Sequence, residues 1–228
     1  VKLSASVACI DPLRYAEIVQ VLEEGGIDAF HFDFCDGHFV HTLQLFPGLL
    51  KALRPLSTKS FDVHLYCTHP SRYLAELAEC GADRVVVQVE AAEPCWEVIP
   101  RVRRLGLSAG LGILPGTAIP AGIGELLSQV DLVVVNTVGP AFPGQPFDIR
   151  GLQNAAALRG VIECEGLYTE VAVDGNVCVE RLPEMLGAGA THLVCGTSSI
   201  FRPGADIGSE LQLFRRHLVE AIGRLASD

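Results

Sequence analysis

Short β-branched apolar runs alternate with amphipathic segments along the whole 228-residue chain, and this alternation constrains the fold more than any other feature. The strand-like runs are Leu3–Ala8, Ala29–Cys35, Ser60–Cys67, Arg84–Glu90, Ser108–Leu114, Asp131–Val138, Thr169–Asp174 and His192–Cys195. The clearest helical segment between them is DPLRYAEIVQVLEEGG, with Asp11 as N-cap, Pro12 at N1 and Gly25 or Gly26 as its stop. HPSRYLAELAECGA and VCVERLPEMLGAGA repeat that design, and Asp206 to Leu225 reads as a final amphipathic helix. Eight strands, each followed by a helix, is the count of an α/β (β/α)8 TIM barrel. A doubly wound open sheet usually has fewer strands, and no GxGxxG follows the first one. No linker, low-complexity segment or charge block divides residues 1–228, so a single barrel domain is expected.

The second strand, in FHFDFCDGHFV, places His31, Asp33 and Cys35 on one face and Phe30, Phe32 and Phe34 on the other. Burying a polar group without a partner costs roughly 2–7 kcal/mol, so that polar face requires a purpose. In a barrel the active site lies at the carboxyl ends of the strands. His31 and Asp33 end the second strand, His64 the third and Asp174 the seventh. One such residue alone reads as a hydrogen-bonded structural group. Four converging on one mouth read as a site, and two imidazoles with two carboxylates suit a divalent transition metal. GPAFPGQPF, DGN and GTSS close the sixth, seventh and eighth strands, where this fold commonly holds phosphate on backbone amides.

Composition narrows the class of partner. Apolar residues make up 49 per cent and charged residues 19 per cent, which implies a filled core. The net charge of −10, with scattered basic residues, argues against nucleic acid but leaves room for a small anion. No apolar run reaches the roughly 18–20 residues of a membrane span. The eight cysteines form no CxxC pair, and no signal-peptide pattern precedes them. They are expected to be buried free thiols in a cytoplasmic protein.

SASVACID, HFDFCDGHFV, DVHLY, GLGILPGT, TVGPAFPGQPF, VAVDGN and CGTSSIF, in that order, resemble the ribulose-phosphate 3-epimerase family over essentially the whole chain. CID, GQPF and GTSSIF look closer to its allulose-6-phosphate branch. The resemblance implies a ribulose-phosphate-binding barrel that inverts C3 of a ketose phosphate. It implies one divalent metal, typically zinc, with iron, manganese or cobalt as alternatives. By motif, His31, Asp33, His64 and Asp174 are the ligands, and Asp33 and Asp174 double as acid and base. Ser6 matches a substrate-contacting serine. Gly144, Gly175, Asn176, Gly196 and Thr197, with Ser198 of the same loop, stand where amides hold phosphate. A dimer or hexamer is implied as the assembly.

The chain departs from the family where methionines usually roof the site, reading Cys35, Tyr66 and Asn136. Gln88 replaces a frequent histidine, and Ala141 and Pro143 replace loop glycines; Pro143 has no N–H to give. An intact tetrad under an altered roof predicts a retained reaction on an altered substrate, a pentulose or a hexulose phosphate. A non-catalytic sugar-phosphate binder and a different enediolate enzyme, an isomerase or aldolase, are the alternatives. No lysine stands at a strand end, which counts against Schiff-base chemistry.

Overall fold

The computed structural model describes residues 1–140 and 145–227. Eight parallel strands form the barrel: β1 (Lys2–Ser6), β2 (Ala29–Asp36), β3 (Ser60–Tyr66), β4 (Arg84–Gln88), β5 (Ser108–Ile113), β6 (Leu132–Asn136), β7 (Glu170–Asp174) and β8 (His192–Cys195). They lie side by side in chain order, and β1 closes the ring by pairing with both β2 and β8. The expected alternation is therefore the observed one. The helices α1 (Tyr15–Glu24), α2 (Pro47–Leu53), α3 (Leu74–Glu79), α4 (Cys95–Arg104), α5 (Ile123–Leu127), α6 (Ile149–Cys164), α7 (Leu182–Gly187) and α8 (Ile207–Leu225) follow the strands in turn.

Side-chain alternation along each strand builds two separate cores. Outward residues such as Phe30, Phe32, Leu65 and Val133 pack under the helices in one large cluster. The Phe61 ring meets Phe30 edge-on at 5.5 Å, and the Arg54 guanidinium covers its other side at 3.8 Å. Each fully buried phenylalanine of this layer contributes about 1.5–3 kcal/mol. Inside the barrel lies a second, small apolar cluster among the described residues: Val86, Leu132, Val134 and Ala172. On β4, β6 and β7 the residues two before and two after that layer share its inward face. Arg84 and Glu170 thus fall below it, and Gln88, Asn136 and Asp174 above it, so a thin apolar plug separates a polar floor from a polar mouth.

The differences from expectation are at element ends. Three strands stop two residues early: β1 at Ser6, β4 at Gln88 and β6 at Asn136. A 3-10 turn over Val7–Cys9 follows β1 directly. The helix expected from Pro12 begins at Tyr15, because a 3-10 turn over Pro12–Arg14 precedes it, with the Asp11 carboxylate accepting from the Leu13 N–H. Similar turns, Pro70–Arg72 and Val179–Arg181, introduce α3 and α7. Such turns are common at helix termini, where the first amides lack intrahelical partners. Gly26, at φ +76°, supplies the left-handed residue that ends α1. The final helix expected over Asp206–Leu225 is α8, and Asp206 caps it through the Ser209 N–H at 2.8 Å. Among the described residues no helix is long and apolar enough to cross a membrane.

Candidate active site

The polar face of β2 points into the barrel and meets β3 in register, with Asp33 opposite His64 and Cys35 opposite Tyr66. His31 and His64 are almost fully buried, at 2% and 0% exposure. His31 Nε2 lies 3.3 Å from His64 Nδ1, 3.2 Å from Asp33 Oδ1 and 3.9 Å from Asp174 Oδ2. Ligand atoms of His31, Asp33, His64 and Asp174 all fall within 4.8 Å of one another. The four residues expected to converge do so.

Their protonation follows from burial and from one another's charges. Burial disfavours the His31 imidazolium, but the Asp33 and Asp174 charges outweigh burial and raise His31 to about 9. Burial, then the neighbouring His31 charge, pushes His64 down to about 3. Burial and the Asp33 charge raise Asp174 to about 6, whereas Asp33 is held below its ordinary value because His31 outweighs burial. Asp33 Oδ1 is buried and has no hydrogen-bond partner among the described residues, although His31 Nε2 lies 3.2 Å away. A single proton on His31 Nε2 cannot serve a facing nitrogen and a facing carboxylate together. One divalent cation serves all four donors. The 3.2 and 3.3 Å separations match the roughly 3.4 Å between ligand atoms about 2.1 Å from a tetrahedral zinc. The residues fit the group.

Around the tetrad lies a shell of hydrogen bonds. The Ser6 hydroxyl donates to Asp33 Oδ2 at 3.2 Å. Asn136 Nδ2 donates to Asp174 Oδ2 at 3.1 Å and to the Tyr66 hydroxyl at 2.7 Å, while that hydroxyl donates to Asp174 Oδ2 at 3.4 Å. Tyr66 also stacks on His64 with ring centroids 4.3 Å apart. Burial and the Asp174 charge raise the Tyr66 phenol well above its ordinary value, so it remains a donor.

Above the tetrad opens a cavity of about 270 Å³. Its walls include Ser6, Asp33, Tyr66, Asn136 and Asp174 at one end and Gly175, Asn176, Gly196, Thr197 and Ser198 at the other. Gly175 has φ +113°, and a Cβ there would come 2.5 Å from Val138, so only glycine fits this turn. Asn176 takes the same left-handed region, at φ +50°, and ties the loops together. Its amide donates to the Gln145 carbonyl at 3.4 Å, and its Oδ1 accepts from the Ser198 hydroxyl at 3.0 Å. Gly144, Ala141 and Pro143 lie outside the described residues.

Cys35 does not line the cavity. Its thiol turns toward Gln44 Oε1 at 3.7 Å, and Gln44 lines the wall instead. Gln44 gets there through a two-residue antiparallel ladder, Leu43–Gln44, against Cys35 and Asp36. Gln145 and Cys9 also line the cavity. Sequence reasoning missed Gln44 because HTLQLF shows no strand pattern, and the left-handed turn at the adjacent Leu45 (φ +51°) is visible only in the backbone.

A parallel barrel with a His/Asp cluster that could hold a metal ion at the carboxyl ends of its strands, beside a cavity walled by glycine-rich turns, has the architecture of a barrel enzyme. The chain belongs to the ribulose-phosphate 3 epimerase family, whose model matches residues 2–201, and this is a family of carbohydrate epimerases. It is 32% identical over 203 residues to ribulose-phosphate 3-epimerase of Synechocystis sp., covering 88% of both chains. It is 30% identical over 224 residues to that of Methanocaldococcus jannaschii, covering 98% of this chain and 94% of the other. Among solved structures, 3-hexulose-6-phosphate synthase superposes with TM-score 0.72 at 18% identity, over 96% of this chain and 100% of that one. KGPDC from Streptococcus mutans superposes with TM-score 0.68 at 14% identity, over 96% and 98%. These two likenesses show the barrel fold.

Proposed function

We propose that this chain is a metal-dependent epimerase that inverts C3 of a ketose phosphate of the ribulose 5-phosphate/xylulose 5-phosphate type. The observation that carries the reading is the pair of carboxylates, Asp33 on β2 and Asp174 on β7, both facing one cavity from well-separated strands. A hydrogen on the carbon beside a carbonyl is barely acidic, and inversion requires a proton to leave one face of a planar enediolate and return to the other. Two carboxylates across the mouth serve the two faces, each as base in one direction and acid in the other. A divalent cation held by His31, Asp33, His64 and Asp174 would supply Lewis-acid stabilisation of the developing charge; zinc suits this set, as do iron, manganese and cobalt.

The remaining residues bind and orient. Ser6 steadies the Asp33 carboxylate that faces the sugar. The cavity walls carry no lysine or arginine among the described residues, so phosphate falls to the amides of Gly175, Asn176, Gly196, Thr197 and Ser198. Tyr66 and Asn136 roof the reacting carbon, with Cys35 behind Gln44. A ketohexose phosphate such as allulose 6-phosphate/fructose 6-phosphate is the second reading. The amides of Gln44 and Gln145 on the walls favour it, since they add hydrogen-bonding capacity for a longer polyol. Assembly into a homo-oligomer, a dimer or hexamer, belongs to the same proposal, and light scattering tests it.

Metal-loaded protein in deuterated water should exchange the C3 hydrogen of ribulose 5-phosphate, or of allulose 6-phosphate under the second reading. NMR of the products separates the epimer from isomerisation or cleavage products. No exchange on either sugar would sink the proposal and leave a non-catalytic sugar-phosphate binder.

A further inference from the structure

We infer that Gln88 and Asn136 are positioning residues, a coupled pair of side-chain amides that sets the His64 ring and the Asp174 carboxylate from behind. The inference rests on the metal site of the reading above and not on its reaction. Both amides are buried, Gln88 at 0% and Asn136 at 1% exposure, and a buried amide is retained at little cost only when it is hydrogen-bonded. Gln88 Nε2 sits 3.0 Å from His64 Nε2 and donates to Asn136 Oδ1 at 3.1 Å. Asn136 spends its own N–H groups on Asp174 Oδ2 and the Tyr66 hydroxyl. One line of bonds therefore runs from His64 on β3 through β4 and β6 to Asp174 on β7.

Strand β5, which lies between, makes room for the line. A Cβ at Gly112 would come 2.6 Å from His64 Nε2 and 2.8 Å from Gln88 Cδ. Gly112 is the direct neighbour of Gln88 in the sheet, so the glycine and the amide form one fitted pair. The His64 nitrogen that faces the other donors is Nδ1; the nitrogen that faces Gln88 is Nε2. A ligand imidazole keeps its outer nitrogen on a hydrogen-bond partner, which fixes the tautomer and the ring plane. A carboxamide carries both a donor and an acceptor, so Gln88 can serve Nε2 with or without its proton. The acceptor is at hand: Gln88 Oε1 is buried and unpartnered among the described residues. With His64 Nδ1 given to a cation, the proton would sit on Nε2, and the two amides would turn together: Gln88 Oε1 would accept from Nε2–H and from Asn136 Nδ2, and Asn136 Oδ1 would accept from the Tyr66 hydroxyl.

The test measures zinc affinity by chelator competition and the visible spectrum of the cobalt-loaded protein, with thermal unfolding of the metal-free form as a folding control. Gln88→Met keeps the side-chain length but not the hydrogen bond, and should weaken zinc binding on the order of 10- to 100-fold and shift the cobalt bands. Gln88→Glu restores an acceptor for Nε2–H and should bind zinc at least as tightly as the parent. Asn136→Leu should weaken binding less, and the double variant should lose less than the product of the two single losses. Zinc affinity in Gln88→Met within about two-fold of the parent, against the loss expected of an outer partner, would overturn the inference. So would independent effects of the two substitutions. If Gln88→Met does not fold, weakened zinc binding in the folded Gln88→Glu variant overturns it instead. A parent that binds zinc but exchanges no C3 hydrogen defeats the epimerase reading alone. An active enzyme whose zinc affinity ignores Gln88 defeats this inference alone.

Discussion

The floor and the mouth of the barrel are both polar and both built on histidine and carboxylates, yet their groups are arranged in opposite ways. On the floor, opposite charges meet: Arg84 donates to Asp62 at 2.7 Å, and Lys2 pairs with Glu170. His192 Nε2 bonds the Ser4 hydroxyl at 3.0 Å, and its Nδ1, unpartnered among the described residues, lies 4.0 Å from Glu170. At the mouth, like groups converge: two imidazole nitrogens at 3.3 Å, with two carboxylates around them. Four apolar side chains keep the two ends apart. Cations matched one to one with carboxylates serve the fold, whereas four donors crowded within 4.8 Å of one another suit a shared cation.

The comparison predicts that mouth substitutions change chemistry and floor substitutions change stability. Asp174→Asn removes a proton carrier and a ligand, and should lower the epimerisation rate about 10⁴-fold, the upper end for acid–base groups. Metal-free Asp174→Asn should be no less stable than the parent at neutral pH, because burial and Asp33 already disfavour that charge. Near-normal turnover, or a large loss in a urea melt, would break the contrast at the mouth. Asp62→Asn leaves the Arg84 guanidinium buried without its counter-charge and should cost about 3–5 kcal/mol in the same melt. The rate per folded molecule should be unchanged there, and a parallel loss of rate would show that the floor reaches the chemistry.

Acid provides a finer comparison. Burial first, helped by Arg84, lowers His192 to about 3, so it is neutral in the fold and charges only on unfolding. Between its unfolded value near 6.5 and the folded one, the unfolded chain binds more protons, so stability falls as pH falls. His64 adds to the same acid limb. His31 has the opposite sign in the metal-free protein: its folded value of about 9 gives stability below pH 6.5 that is lost as pH rises through 9. His192→Gln should remove about 2 kcal/mol of the loss between pH 6.5 and 5 and leave the alkaline limb alone. Denaturant melts at several pH values read both limbs. An acid limb that survives intact in His192→Gln would show that the floor histidine is not its source.

What could be read in advance follows from the range of the forces. Strand and helix alternation is local, and the FHFDF pattern exposes its polar face through a period of two. Ligand positions at strand ends then follow from the barrel, which alone brings His31 and Asp174 together. The Gln88–Asn136–Asp174 line was not visible, because it depends on how far neighbouring strands slide past one another. Positions 88 and 136 become partners only when that stagger places their side chains above the same apolar layer. The 3-10 turns before α1 and α3 were missed for a smaller reason: proline at N1 favours either kind of helical turn.

Gln44 is the residue on which the mouth's own division of labour can be tested. It lines the same cavity as Asp33 and Tyr66, but among the described residues its side-chain oxygen meets only the Cys35 thiol, at 3.7 Å, and it bonds no tetrad member. Its amide N–H groups can therefore bind a sugar hydroxyl without touching the donors below. A neutral hydrogen bond of that kind contributes roughly 1 kcal/mol, so Gln44→Ala should raise KM about five-fold. With kcat little changed, the loss would be one of uniform binding. Zinc affinity should not move. A fall in kcat at constant KM would place Gln44 among the groups that act in the transition state, and the boundary between roof and tetrad would then have to be drawn one residue further out.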